Sequence, residues 1–158
     1  MFGFFNKRKT FSLYAPVKGC IQDVQATPDS VFSSGMMGDG ICINPEGSVI
    51  TAPCDGEVIV VPKTRHAVAL KSTNGVEILI HVGLDTVELG GEGFISHVRQ
   101  GDQVKLGDKL LTFDASFISS KGKSLVTPVV ITNMADKVDR LTKHFDRADG
   151  IILEIMAK

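Results

Sequence analysis

An all-β domain with little helix is the fold class this sequence predicts, and three observations predict it. Short runs of β-branched and aromatic residues recur along the chain. Turn signals separate them at roughly the 8–12-residue spacing of sandwiches and barrels. Long helical periodicity is absent. The 158 residues suit one domain with a sizeable core, and 43% hydrophobic with 22% charged residues is an ordinary globular balance. A net charge of −1 leaves no electrostatic footprint for nucleic acid. No apolar run reaches the roughly 18 residues of a membrane helix. Phe2-Gly3-Phe4-Phe5 is too short for the apolar part of a signal peptide, and the basic residues follow it rather than precede it. Cys20, Cys42 and Cys54 are an odd set without metal spacing, and read as free thiols of a reducing cytoplasm.

Residues 1–10 read as a flexible tail, with a weak lipid contact through Phe2, Phe4, Phe5, Lys7, Arg8 and Lys9 as the sharper alternative. Residues 11–158 read as the single domain. Its candidate strands are Phe11–Tyr14, Cys20–Asp23, Ile41–Asn44, Ser48–Ala52, Glu57–Val61, His66–Lys71, Val76–Val82, Gln103–Lys105, Lys109–Phe113, Val126–Thr132 and Ile151–Met156. The prolines fall near strand ends or turns, where a missing N–H does least harm. Asp114–Ser120 suits one or two helical turns with Asp114 as N-cap, and Met134–Phe145 is the other modest helix candidate. Ala15-Pro16-Val17-Lys18-Gly19 echoes Ala52-Pro53-Cys54-Asp55-Gly56, a faint repeat of a turn opening a strand. Glycine-aspartate turns flank Gln103–Lys105. Together these features resemble barrel-sandwich modules such as lipoyl and biotinyl carriers, but no lysine sits at the Met-Lys hairpin tip that those carriers use.

Asn74-Gly75 favours a two-residue type I′ turn. On that register Thr73 faces Val76 and Val68 faces His81, which puts His66 on the same face as His81, on the diagonal. A one-residue slip would send the two rings to opposite faces. Thr64 would share the face if the strand extends that far. A strand histidine is commonly a satisfied or surface residue, so the pairing alone does not establish a shared chemical role. Gly83, Gly90, Gly91 and Gly93, with Asp85 close behind His81, mark a loop rim suited to chemistry. Four histidines without His-x-His or His-Glu-x-x-His supply a catalytic zinc site poorly, and phosphate-loop and nucleophile-elbow motifs are absent. Two neighbouring imidazoles do suit phosphoryl handling: one is nucleophilic near neutral pH, and the other can bond the phosphoryl oxygens.

The stretch His81-Val82-Gly83-Leu84-Asp85-Thr86-Val87-Glu88-Leu89-Gly90-Gly91-Glu92-Gly93-Phe94 resembles the phosphorylation-site signature of the glucose-class enzyme IIA of the bacterial sugar phosphotransferase system. Similar blocks are Ala15-Pro16-x-x-Gly19, Pro28-Asp29-Ser30-Val31-Phe32, Gly38-Asp39-Gly40-Ile41, Ala52-Pro53-x-x-Gly56, Thr64-x-His66-Ala67 and Thr127-Pro128-Val129-Val130-Ile131-Thr132-Asn133.

The resemblance implies an antiparallel β-sandwich or barrel-sandwich of the duplicated-hybrid-motif type. It implies that His81 accepts phosphate on Nε2 from the carrier HPr and passes it to a cysteine of an enzyme IIB domain. His66 matches the second histidine needed for onward transfer, and Thr64 the residue that hydrogen-bonds it. Asp29 and Asp85 match carboxylates that would meet basic residues of HPr. Val31, Phe32, Val82 and Leu84 are placed beside the site and expected to rim the docking face. No cofactor is expected, and two histidines alone do not make a metal site. The N-terminal segment is shorter than that of the enteric regulator, so membrane contact is expected mainly through a partner permease. No IIB or IIC region follows Lys158, which leaves a free-standing enzyme IIA or an excised domain. The alternatives are a regulatory protein whose phosphorylation changes its partners among transporters or kinases, and a metal hydrolase on a related fold.

Overall fold

The computed structural model describes residues 10–158. The proposed tail at 1–10 therefore lies outside the described residues except for Thr10, which already belongs to the first strand. Thirteen strands follow in order: β1 (Thr10–Tyr14), β2 (Gly19–Asp23), β3 (Asp39–Pro45), β4 (Val49–Thr51), β5 (Gly56–Val60), β6 (Ala67–Ser72), β7 (Glu77–His81), β8 (Phe94–Ser96), β9 (Gln103–Val104), β10 (Lys109–Phe113), β11 (Thr127–Ile131), β12 (Val138–Lys143) and β13 (Ile151–Ala157). Among the described residues helix is confined to α1 (Ser30–Ser33), α2 (Ala115–Ser120), α3 (Met134–Lys137) and two short 3-10 turns. Asp114 caps α2 as expected, its carboxylate accepting from the Phe117 N–H at 3.0 Å.

The strands form a seven-stranded sheet in the order β2-β3-β11-β7-β6-β5-β9 and two three-stranded sheets, β1-β13-β12 and β4-β10-β8, with antiparallel pairing throughout. The main core draws on all three sheets, with Leu13, Ile43, Ile50, Leu70, Ile78, Leu110 and Ile152 fully buried. Each such side chain is worth about 1.5–3 kcal/mol of transfer free energy. Pro128 is the second residue of β11, and the ladder from β11 to β7 covers only Val129–Ile131. Its missing N–H thus falls beyond the ladder with β7. Lys143 ties the small sheet to the large one: its ammonium lies 3.0 Å from Asp23 Oδ2 and 2.7 Å from Asp39 Oδ1.

The faint repeat is structural. The Tyr14 N–H donates to the Pro53 carbonyl at 3.0 Å, and the Thr51 N–H donates to the Pro16 carbonyl at 2.8 Å. The two Ala-Pro turns thus bond each other reciprocally, as a local two-fold relation requires. Their glycines match as well. A Cβ on Gly19 would fall 2.1 Å from the Asn44 carbonyl oxygen, and one on Gly56 would fall 2.4 Å from that of Lys71. Each turn must open its strand with a residue that lets the neighbouring backbone this close.

Three expectations are corrected. Met134–Phe145 is not one helix: it is α3 followed by β12, because Val138–Lys143 pairs along β13. β8 was not anticipated. The hairpin turn is not two residues long. Ser72 pairs with Val76, their backbones bonded at 2.8 Å, and Thr73, Asn74 and left-handed Gly75 (φ +83°) form a three-residue loop. The register therefore sets Ala67, not Val68, opposite His81. Packing demands this slip. It keeps Val68, Leu70, Ile78 and Ile80 together on the core face, all fully buried.

Candidate functional site

The register puts His81 on the outer face of the large sheet, on the alternation shared with Leu79. Under strict alternation His66 would then face inward, away from His81. It does not, because β6 starts only at Ala67. Arg65 adopts a left-handed backbone (φ +53°) within a turn closed by its N–H on the Pro62 carbonyl at 2.9 Å. The turn frees His66 from the pleat, while its carbonyl still accepts from the Val82 N–H at 2.7 Å. The two imidazoles meet edge to face, with ring centroids 4.8 Å apart and planes at 82°. The expected pairing is present, but a turn rather than a strand diagonal creates it.

Each ring has its Nδ1 engaged. His81 Nδ1 donates to the Gly83 carbonyl at 2.8 Å, which fixes the proton on Nδ1 and leaves Nε2 with its lone pair when the ring is neutral. Thr64 Oγ1 lies 2.6 Å from His66 Nδ1, so the hydroxyl reaches the ring across the turn. Burial holds both rings below the usual histidine range. His66, only 8% exposed, is pushed down to about 4, by desolvation first and then by the neighbouring His81. His81 is also lowered by desolvation, although the Gly83 bond and the charges of Asp29 and Asp85 oppose the shift. Both rings are thus neutral at neutral pH.

Asp29 caps α1, accepting from the Val31 N–H at 2.9 Å, and the helix sets Phe32 against His81 with ring centroids 5.0 Å apart. Asp85 has a left-handed backbone (φ +57°) and is exposed. The supposed rim divides. Val31 is exposed (42%), whereas Phe32 and Leu84 are buried in a small second core with Val24 and Val130. Val82 is fully buried in the main core and has no surface to offer a partner, because it falls on the inward side of the alternation that turns His81 outward. Sequence reasoning missed the Gly83 carbonyl and Arg65. The first is a main-chain atom, and the second carries no motif. Among the described residues no group of three or more histidine, cysteine or acidic side chains could hold a metal ion. No helix among them is long and apolar enough to cross a membrane.

Known proteins share this sequence and architecture. The glucose-specific EIIA component of Bacillus cereus is 47% identical over 133 residues, covering 84% of this chain and 81% of that protein. The mannose-specific EIIBCA component of Corynebacterium glutamicum is 53% identical over 123 residues, 78% of this chain but only 18% of that longer protein. The solved structure of glucose permease IIA from Mycoplasma capricolum superposes with a TM-score of 0.83 at 35% identity, covering 97% of this chain and 99% of that one. A family model described as phosphoenolpyruvate-dependent sugar phosphotransferase system, EIIA 1, matches residues 11–137. With a sandwich fold that matches a solved IIA over nearly its whole length, the chain belongs to the EIIA 1 family of the phosphoenolpyruvate-dependent sugar phosphotransferase system and is a phosphocarrier of its glucose class.

Proposed function

We propose that His81 carries the phosphoryl group on Nε2. The observation behind this reading is the bond from His81 Nδ1 to the Gly83 carbonyl, which leaves Nε2 as the free nucleophile beside the His66 ring. The Nε2 lone pair attacks phosphorus of the phosphohistidine of HPr, and the donor's N–P bond breaks as the new one forms. Positive character developing on the ring is shared with the Gly83 carbonyl through Nδ1–H. In the second step a cysteine thiolate of an enzyme IIB domain attacks phosphorus, and the N–P electrons return to Nε2. His66, held by Thr64, donates to the phosphoryl oxygens as charge builds on them. An EIIB-type acceptor is supported by the Corynebacterium glutamicum relative, an EIIBCA component.

Residues 11–158 act as one cytoplasmic domain. Asp29 and Asp85 meet basic residues of HPr. Val31, Met36 (77% exposed) and Val87 (51% exposed) supply apolar contact from α1, the segment after it and the loop after His81. Such docking is small, transient and steered by charge.

Incubation with phosphoenolpyruvate, enzyme I and HPr tests the reading. Acid-labile, base-stable phosphate should appear on the wild type and vanish in His81→Ala. His66→Gln should accept phosphate but fail to pass it to a IIB domain. Loss of acceptance in His66→Gln, or phosphate retained by His81→Ala, contradicts the assigned roles.

A further inference from the structure

We propose that Arg65 is a positioning residue for His66: its guanidinium clamps the turn that carries His66 to the loop beyond the site, and so holds the second imidazole against the first. The proposal rests on the phosphocarrier reading and assigns it one further residue. Three observations carry it.

Arg65 is one of only two non-glycine residues with a positive φ among those described, and it directly precedes His66. An Arg in that conformation persists only where the surroundings hold it. The holding group is its own side chain. Nε donates to the Phe94 carbonyl and Nη2 to the Gly91 carbonyl, both at 3.3 Å, so the planar fork spans two acceptors of one loop. Finally, alternation from β6 would turn His66 away from His81, so the ring contact depends on the turn rather than on the sheet.

Arg65 does not touch the reacting atoms in this arrangement. It acts through the backbone of His66, whose ring is also tied by Thr64 and whose carbonyl is tied to Val82. Loss of the fork should leave His81 and its Gly83 bond in place and let the His66 ring wander toward solvent. Acceptance of phosphate should therefore survive, and donation should suffer.

The variants Arg65→Gly and Arg65→Lys separate the clamp from the backbone strain. Glycine tolerates the left-handed φ and removes the fork, while lysine keeps the charge and a single donor group. Histidine-selective ¹⁵N NMR of the full-length, unphosphorylated protein follows each ring with pH, with His97 and His144 reporting that the fold is intact. Single-turnover assays measure transfer from phospho-HPr and transfer to a IIB domain separately. Arg65→Gly should raise the His66 titration midpoint from about 4 toward the free-histidine value. It should slow donation to IIB by about tenfold to a hundredfold, the usual cost of a reacting group displaced by about an ångström. Transfer from phospho-HPr should be unchanged, and Arg65→Lys should fall in between. A midpoint and a donation rate that do not both move in Arg65→Gly overturn the proposal. If the wild type takes no phosphate from HPr, the phosphocarrier assignment of His81 fails instead, and the titration still reports whether Arg65 positions the ring.

Discussion

Replacing His66 with glutamine and following stability against pH measures how dry the His66 ring is. Glutamine keeps a polar group within reach of the Thr64 hydroxyl and does not titrate. In the wild type the folded protein holds His66 at about 4, while in the unfolded chain it returns to about 6.5. As pH falls below 6.5 the unfolded state takes up the proton first, so this contribution to stability is present above pH 6.5 and lost as pH falls toward 4. Linkage puts the loss at about 2 kcal/mol by pH 5 and about 3 kcal/mol by pH 4, as upper values. His81 shifts in the same direction but is present in both proteins, so the difference between them isolates His66 apart from the coupling of the two rings. Urea unfolding at pH 8, 6 and 5 supplies the numbers. The wild type should lose stability relative to His66→Gln by about 2 kcal/mol between pH 8 and pH 5. Parallel pH profiles would show a solvated ring and refute the reasoning.

Gly83→Ala should be severe. The residue sits at φ +75°, and a Cβ there would lie 2.6 Å from Thr86 Cγ2 and 2.7 Å from the Ser124 carbonyl oxygen. We expect a loss of about 2–4 kcal/mol in urea unfolding, from backbone strain and a clash against main chain. In the folded fraction, an ¹⁵N spectrum should show a weakened His81 Nδ1–H bond. Lys143→Met should cost only about 1 kcal/mol, because both carboxylates that it meets are well exposed. The difference from wild type should shrink in 1 M salt, and a loss that salt does not reduce would point to packing of the aliphatic stem instead.

The sequence was legible where local chemistry and tertiary packing agree. Candidate strands overlap eleven of the thirteen found, and Asp114 caps its helix because an Asx side chain before a helical turn has a single obvious use. The Val138–Lys143 strand was missed because only Val138 in it is buried, so no alternation announces it, and pairing with β13 decides the matter. β8, three residues behind a run of glycines, has too few side chains to carry a pattern. The histidine pair was foreseen through the wrong intermediate. Asn-Gly favours a tight hairpin locally, but the four core residues of β6 and β7 outvote it. Only a left-handed Arg65, which no composition rule foretells, restores the convergence.

The three-residue loop at Thr73-Asn74-Gly75 is where the chain counts out its chemistry. His81 lies five residues beyond Val76, about 17 Å along an extended chain. The face of the sheet on which its ring emerges is nevertheless decided by the parity of that distant bend. Shortening the bend by one residue would turn one strand over against the other: flipping β7 would send the His81 ring into the oily interior and bring Ile78 and Ile80 out to water, while flipping β6 would bring out Val68 and Leu70 instead. A connection that touches neither imidazole is therefore under the same constraint as the site, and length changes there should be far less forgiving than at the other exposed bends.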